Sequence, residues 1–179
     1  MSTPTNLIAT LDQERALLLD AVKKVPHEAL TLKGVVGAWS IKNMLAHLAD
    51  QERLVVQVLP QRLATGSAPE IVSIINADAD AWNAKQIEAS EHLTLSEQLK
   101  QLEQARQELV QVIRDVGDEG LTRQHPWPEW EGTVAAYILQ VVGEHERGHR
   151  ETILAALEKG LQTRKSGTPT RLCHPSNDD

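Results

Sequence analysis

The chain has 179 residues, 41% hydrophobic and 24% charged, which is enough apolar material for one domain with a sizeable core. A net charge of −7 with no run of Lys or Arg excludes broad electrostatic affinity for nucleic acid or an anionic membrane surface. The single cysteine, Cys173, excludes an intramolecular disulfide framework, and no stretch approaches the length of a transmembrane helix. The N-terminus lacks a basic region followed by an apolar core, so the cytoplasm is the expected compartment. Phe is absent and aromatics make up 3%, so the expected core is aliphatic, with four tryptophans as special cases.

The first predicted helix runs from Pro4 to Val25 on a stripe of Leu7, Leu11, Leu18, Val22 and Val25. Pro26, Gly34 and Gly37 mark a connection. Ser40 then caps a second helix whose stripe is Ile41, Leu45, Leu48, Val55 and Leu59, with Met44 and His47 at its edge. Pro60 should kink or end this helix, and Gly66 stops it. Ser67 and Pro69 open one short extra helix carrying Asp78 and Trp82 on a shared face. Thr94 and Glu97 form a capping box that launches a third long helix through Leu95, Leu99, Leu102, Ala105, Leu109, Val112 and Val116, ended by Gly117. The stretch from Leu121 to Glu131 reads as a Pro/Trp-rich loop, and no alternation is strong enough to predict a strand.

The last helix spans Thr133 to Gly160, with Val134, Ile138, Val141, His145, His149, Thr152 and Ala156 at helical spacing and Val142, Ile153 and Leu157 beside them. Residues 161–179 read as a mobile polar tail beyond a single domain of residues 1–160. Four long amphipathic helices with one extra short helix between the second and third predict an all-α fold, a four-helix bundle.

His145 and His149, four residues apart, stand one turn above the other inside the apolar stripe. Buried imidazoles need partners for their nitrogens, and a metal ion best satisfies a pair. The run His145-Glu146-Arg147-Gly148-His149 formally matches the zinc-peptidase pattern HExxH. That reading requires a sheet edge for the substrate, and the chain offers no strand. His47 is the natural third ligand if the second and fourth long helices are neighbours. Three neutral nitrogens with open positions suit a catalytic rather than a structural site.

Ala38-Trp39-Ser40-Ile41, Leu45-Ala46-His47-Leu48 and Glu144-His145-Glu146-Arg147-Gly148-His149-Arg150 together resemble the DinB-like/YfiT-like superfamily. The likeness covers the body from Leu7 to Leu157. The family pattern is a Trp-Ser helix start, a His-Leu pair and a HxxxH on the last helix. The resemblance implies an up-down-down-up four-helix bundle, often a homodimer, with a divalent metal, zinc or nickel, on His47, His145 and His149. It implies no single reaction. Some members are transferases or isomerases using a low-molecular-weight thiol such as bacillithiol or mycothiol, others are assigned as metal-dependent hydrolases, and a related branch opens the cyclopropane of a genotoxin.

Weaker catalytic candidates are Gln51, one turn beyond His47, Glu52 on the main stripe, and Glu146, rotated by about 100° from His145. Glu52 is expected to pair with Arg147 or Arg150. Asp78 and Trp82 could line the pocket mouth, Trp39 plugs the bundle end, and Trp127 and Trp130 could cover the site or a partner. The expected function is therefore a small-molecule metal-dependent hydrolase or thiol-dependent transferase. A non-catalytic stress-response or binding protein is the alternative, and an interaction module acting through the Trp127/Trp130 loop is a third class.

Overall fold

The computed structural model describes residues 3–36, 38–127 and 130–165. Helix α1 (Pro4–Lys23) starts where Thr3 Oγ1 accepts the Asn6 amide at 3.3 Å. A short 3₁₀ turn, His27–Ala29, and a backbone bridge between Val36 and Trp39 return the chain to the bundle. Helix α2 (Ile41–Thr65) opens with a reciprocal box in which Ser40 Oγ accepts from the Asn43 amide and Asn43 Oδ1 accepts from the Ser40 amide, both at 3.1 Å. It continues through Pro60, contrary to expectation. Pro60 faces solvent, while Leu59 and Arg62 beside it are buried and hold the helix to the bundle. Gly66 ends it at φ 73°, its amide donating to the Arg62 carbonyl at 2.8 Å.

Two helices, not one, stand between α2 and the next long helix: α3 (Glu70–Ala77) and α4 (Ala79–Ser90). The break falls at Asp78, which leaves helical geometry at φ −157° and caps α4 by accepting the Ala81 amide at 2.9 Å. Helix α5 (Leu95–Thr122) starts from the expected Thr94/Glu97 box. Gly117 turns the backbone to φ 66°, ψ 178°, yet the helix resumes to Thr122 because Leu121 beyond the kink is fully buried. The segment expected to be a loop carries a short antiparallel ribbon, β1 (Gln124–Trp127) against β2 (Trp130–Thr133), with Trp127 opposite Trp130. Trp127 is buried, its ring edge-to-face with Tyr137 at 5.2 Å and the Arg62 guanidinium 5.1 Å from its centre. It belongs to the core and not to a cover.

The last long helix begins at Thr133, whose Oγ1 accepts the Ala136 amide at 3.2 Å. It is not uniform. Helix α6 (Val134–Ile138) passes into a π-helical segment, Leu139–Glu144, and then α7 (His145–Lys165). A π turn accommodates one extra residue. The buried side accordingly reads Val134, Ile138, Val142, Glu146 and Ile153. An unbroken α-helix would place Val141, His145 and Thr152 there. Helix α7 runs past Gly160, which does not adopt a left-handed conformation, and residues 166–179 of the expected tail lie outside the described residues.

Helix α2 packs on α5, α1 on α7 and α5, and α4 on α2. Two apolar clusters result. One holds Leu18, Val22, Ile41, Leu45, Leu48, Leu102 and Ile153; the other holds Leu11, Val55, Leu59, Leu109, Ile113, Ile138 and Val142. The described residues form an all-α fold apart from the ribbon. No helix among the described residues is long and apolar enough to cross a membrane.

Two of the glycines at which an added Cβ meets open space should respond oppositely to alanine. At Gly117 a Cβ would meet open space, but the backbone lies in a region that only glycine occupies freely, so Gly117→Ala should lose about 1–3 kcal/mol. At Gly148, an exposed position inside α7 with open space around it, Gly148→Ala should gain up to about 1 kcal/mol. Urea unfolding of the two variants beside the parent checks both signs.

Candidate metal centre

Helix α2 presents His47 two turns after its cap, and α7 presents His145 and His149 on one side at its first two turns. The shift of one residue at the π segment turns Glu146 into the bundle and leaves His145 and His149 half-buried, facing α2. His145 Nε2 lies 3.1 Å from His47 Nε2 and 3.0 Å from His149 Nε2. The three ligand atoms all fall within 4.8 Å of one another. Trp39 leans over the trio, its ring centre 4.9 Å from that of His47 and 6.5 Å from that of His149. It therefore packs on the histidines, not merely in the bundle end. Asn83 of α4 stands beside the His47 ring and favours its protonated form, against the larger effect of burial.

Burial, reinforced by the neighbouring rings of His145 and His149, pushes the His47 imidazole down to about 3. Burial and His149 push His145 down to about 4, and burial lowers His149. The rings are therefore neutral at ordinary pH. Each imidazole nitrogen carries either one proton or one lone pair, directed in the ring plane. His145 Nε2 can satisfy one neighbouring Nε2 but not two. Hydrogen bonds among the three rings cannot complete the cluster, whereas a shared cation satisfies every lone pair.

Beside the trio lies a buried ionic tetrad. Arg15 of α1 donates to Glu146 of α7 and, from Nη2 at 2.9 Å, to Glu52 of α2. Arg106 of α5 donates to Glu52 at 2.7 Å and to both oxygens of Glu146 at 3.2 Å. Arg15 also reaches the Leu102 carbonyl at 3.2 Å, and Arg106 reaches Asp12 at the rim at 3.3 Å. Burial opposes the charge of Arg106, but Glu52 and Glu146 outweigh it and hold its pKa above the ordinary value. Glu52 thus pairs with Arg15 and Arg106, not with Arg147 or Arg150. Those two instead grip Glu14 of α1, each at 2.8 Å. Their position on the outer side of α7 explains the difference, since Glu52 is only 1% exposed.

The remaining sequence candidates divide. Gln51 is half-buried on α2. Asp50, three residues after His47, is half-buried too; burial raises its pKa and the ion pair with Arg53 at 3.3 Å pulls it back. Asp78 is exposed and spends its carboxylate on the α4 cap, so it does not line a pocket mouth through that group. Trp82 is half-buried on α4 beside Asn83. His27 and His92 are exposed, as loop histidines should be. An apolar groove of about 760 Å³ lies at the end of α1 and α7, lined by Val25, Pro26, Val35, Leu154 and Leu157, and none of the three histidines borders it.

The sequence pattern of the DinB superfamily matches residues 10–153, most of the chain and all three histidines. The chain belongs to the DinB superfamily. An uncharacterised protein of Escherichia coli UTI89, known from a crystal structure, shares this DinB fold at a TM-score of 0.67 over 90% of this chain and 96% of that one, at 16% identity. That likeness speaks to the fold alone. No curated protein matches the chain. A three-histidine donor set of neutral nitrogens fits the metal ion that the DinB fold implies.

Sequence reasoning missed Asn83, Arg15 and Arg106. Asn83 carried no signal, because its helix has almost no periodic apolar face. The two arginines did: each interrupts an apolar stripe, Arg15 between Leu11 and Leu18, Arg106 between Leu102 and Leu109.

The depressed histidines set a pH dependence for the metal-free DinB domain. Unfolding restores ordinary imidazoles of pKa near 6.5, so below that value the unfolded chain binds more protons than the folded one. Stability is complete above 6.5 and falls as pH drops toward the folded values, by up to about 1.4 kcal/mol per pH unit for each histidine. Urea midpoints of chelator-treated protein, measured from neutral to mildly acidic pH, should show this slope, and His145→Ala should flatten it.

Proposed function

We propose that this chain is a divalent-metal enzyme acting on a small molecule, either a hydrolase or a transferase that uses a low-molecular-weight thiol. The observation that carries the reading is the convergence of three neutral Nε2 atoms on one point, with His145 unable to satisfy both neighbours otherwise. His47, His145 and His149 would hold zinc or nickel. Such an ion, when bound, supplies Lewis-acid chemistry that lowers the pKa of a water or thiol.

The chain's own residues prepare that site. Trp39 shields one flank of the rings from water, and Asn83 stands beside His47, where an outer partner of a ligating imidazole is ordinarily found. Glu52 and Glu146 are committed to Arg15 and Arg106, which argues against either as the general base and leaves Gln51 and Asp50 as the polar groups nearest His47 in sequence. A homodimer belongs to the same reading, and α3, apolar yet without a buried residue, offers a surface for it.

Purified protein should bind about one divalent ion per chain, and His149→Ala should lose most of that content, because two imidazoles hold such an ion far more weakly than three. Equal metal content in the two proteins would sink the site assignment. Turnover by the loaded protein of activated esters and amides, beside electrophiles with and without an added thiol, separates the two reaction classes. Thiol-dependent turnover marks a transferase, thiol-independent turnover a hydrolase, and none of either kind favours the non-catalytic binding protein.

A further inference from the structure

We infer that the buried Arg15–Glu52–Arg106–Glu146 tetrad is the positioning device of the metal centre, setting where His47 and the His145/His149 pair meet. This rests on the metal-binding reading of the three histidines. The division of labour among the helices carries it. Both carboxylates stand on the helices that bear histidines: Glu52 on α2, five residues after His47, and Glu146 on α7, directly after His145. Both arginines stand on the other two helices, α1 and α5. Each arginine bridges the two carboxylates, Arg15 from one side and Arg106 from the other. The ligand-bearing helices are therefore cross-linked twice, through groups adjacent to the ligands.

The need for such a link is visible in the backbone. The π-helical segment Leu139–Glu144 ends at the residue before His145. The π segment takes in one residue more than an α turn would, so the face that α7 turns to the bundle is rotated relative to the helix upstream. Glu146 fixes that face. Its carboxylate accepts from both guanidiniums at only 1% exposure, and turning α7 would strand it. A rotation that moved Glu146 would carry His145 away from His47, because adjacent residues on a helix turn together.

Energetics point the same way. A buried ion network contributes little net stability compared with well-packed apolar groups of similar volume, but it tolerates few alternative arrangements. Glu52 Oε2 is buried with no hydrogen-bond partner, so even this tetrad is not optimised for stability. What it provides is a unique geometry beside the histidines.

Two variants and a control test the assignment, with nickel and cobalt as probes. Glu146→Gln should bind nickel about 10–100-fold more weakly, the loss usual when a supporting group behind a ligand is removed, and should shift the cobalt absorption bands. The fourfold variant Arg15→Met, Glu52→Leu, Arg106→Met and Glu146→Leu leaves no stranded charge. It should unfold at or above the parent temperature when metal-free, yet show the same loss of affinity and the same spectral shift. Leu109→Ala, in the apolar cluster one turn along α5 from Arg106, should lower the unfolding temperature and leave affinity and spectrum alone. Parent-like affinity and spectrum in either tetrad variant overturn the inference, as does an equal loss in Leu109→Ala. A fourfold variant that fails to fold also overturns it, since the tetrad would then hold the fold and not the site. If the parent itself binds neither ion, the metal reading has failed and this inference falls with it.

Discussion

Four charges in the middle of an aliphatic bundle constrain everything around them. Arg15, Glu52, Arg106 and Glu146 sum to zero and are each at most 6% exposed. Removing one would leave an uncompensated charge in a medium that solvates it poorly, at a cost of roughly 3–5 kcal/mol. All four long helices must therefore meet at one level and in one rotation. The apolar clusters on either side could slide or turn with small losses, since aliphatic contacts are non-directional. The guanidinium–carboxylate contacts cannot, because their donors and acceptors have fixed directions. The register of the bundle is set at this layer, and the histidines stand immediately beside it.

The candidate metal centre inherits two properties from that placement. Its ligands sit on helices held in register, and their surroundings keep protons off the rings, His47 down to about 3 and His145 down to about 4. Neutral imidazoles crowded at 3.0 and 3.1 Å are a poor hydrogen-bonded cluster and a good preformed donor set. Much of the ordering that a ligand set must undergo on binding has already been done during folding. Local charge is divided cleanly: the tetrad brings no net charge beside three neutral donors.

The fold class and the convergence of His47, His145 and His149 were legible in the sequence because both rest on helical spacing, and the caps Ser40, Thr94 and Thr133 announced three of the four long helices. What was not legible has physical causes. Glu146 and Thr152 changed places with their neighbours because the π segment absorbs a residue, and a widened turn has no signature in hydrophobic periodicity. Pro60 failed to stop α2 because its outward face lets the helix run on, which needs knowledge of which side is wet. The ribbon around Trp127 and Trp130 was hidden because strands of four residues are too short to show alternation. The partners of Glu52 could have been found. A charged residue in the apolar stripe of each long helix, two of each sign, implies that the four meet, and only the arrangement of the neighbours was missing.

The widened turn at Leu139–Glu144 has a consequence for recognising such chains by residue counting. The wider coil takes in one residue more than an α-helix would, and the elements before and after it stay in phase with the bundle. A chain with an unbroken α-helix could reach the same histidine geometry with one residue fewer between its Thr-type cap and its first histidine. A motif with rigid spacing across that interval would pass over one of the two. The interval from Thr133 to His145 is therefore a place where a search pattern should allow a gap, while the four-residue step from His145 to His149, set by a regular α turn, should allow none.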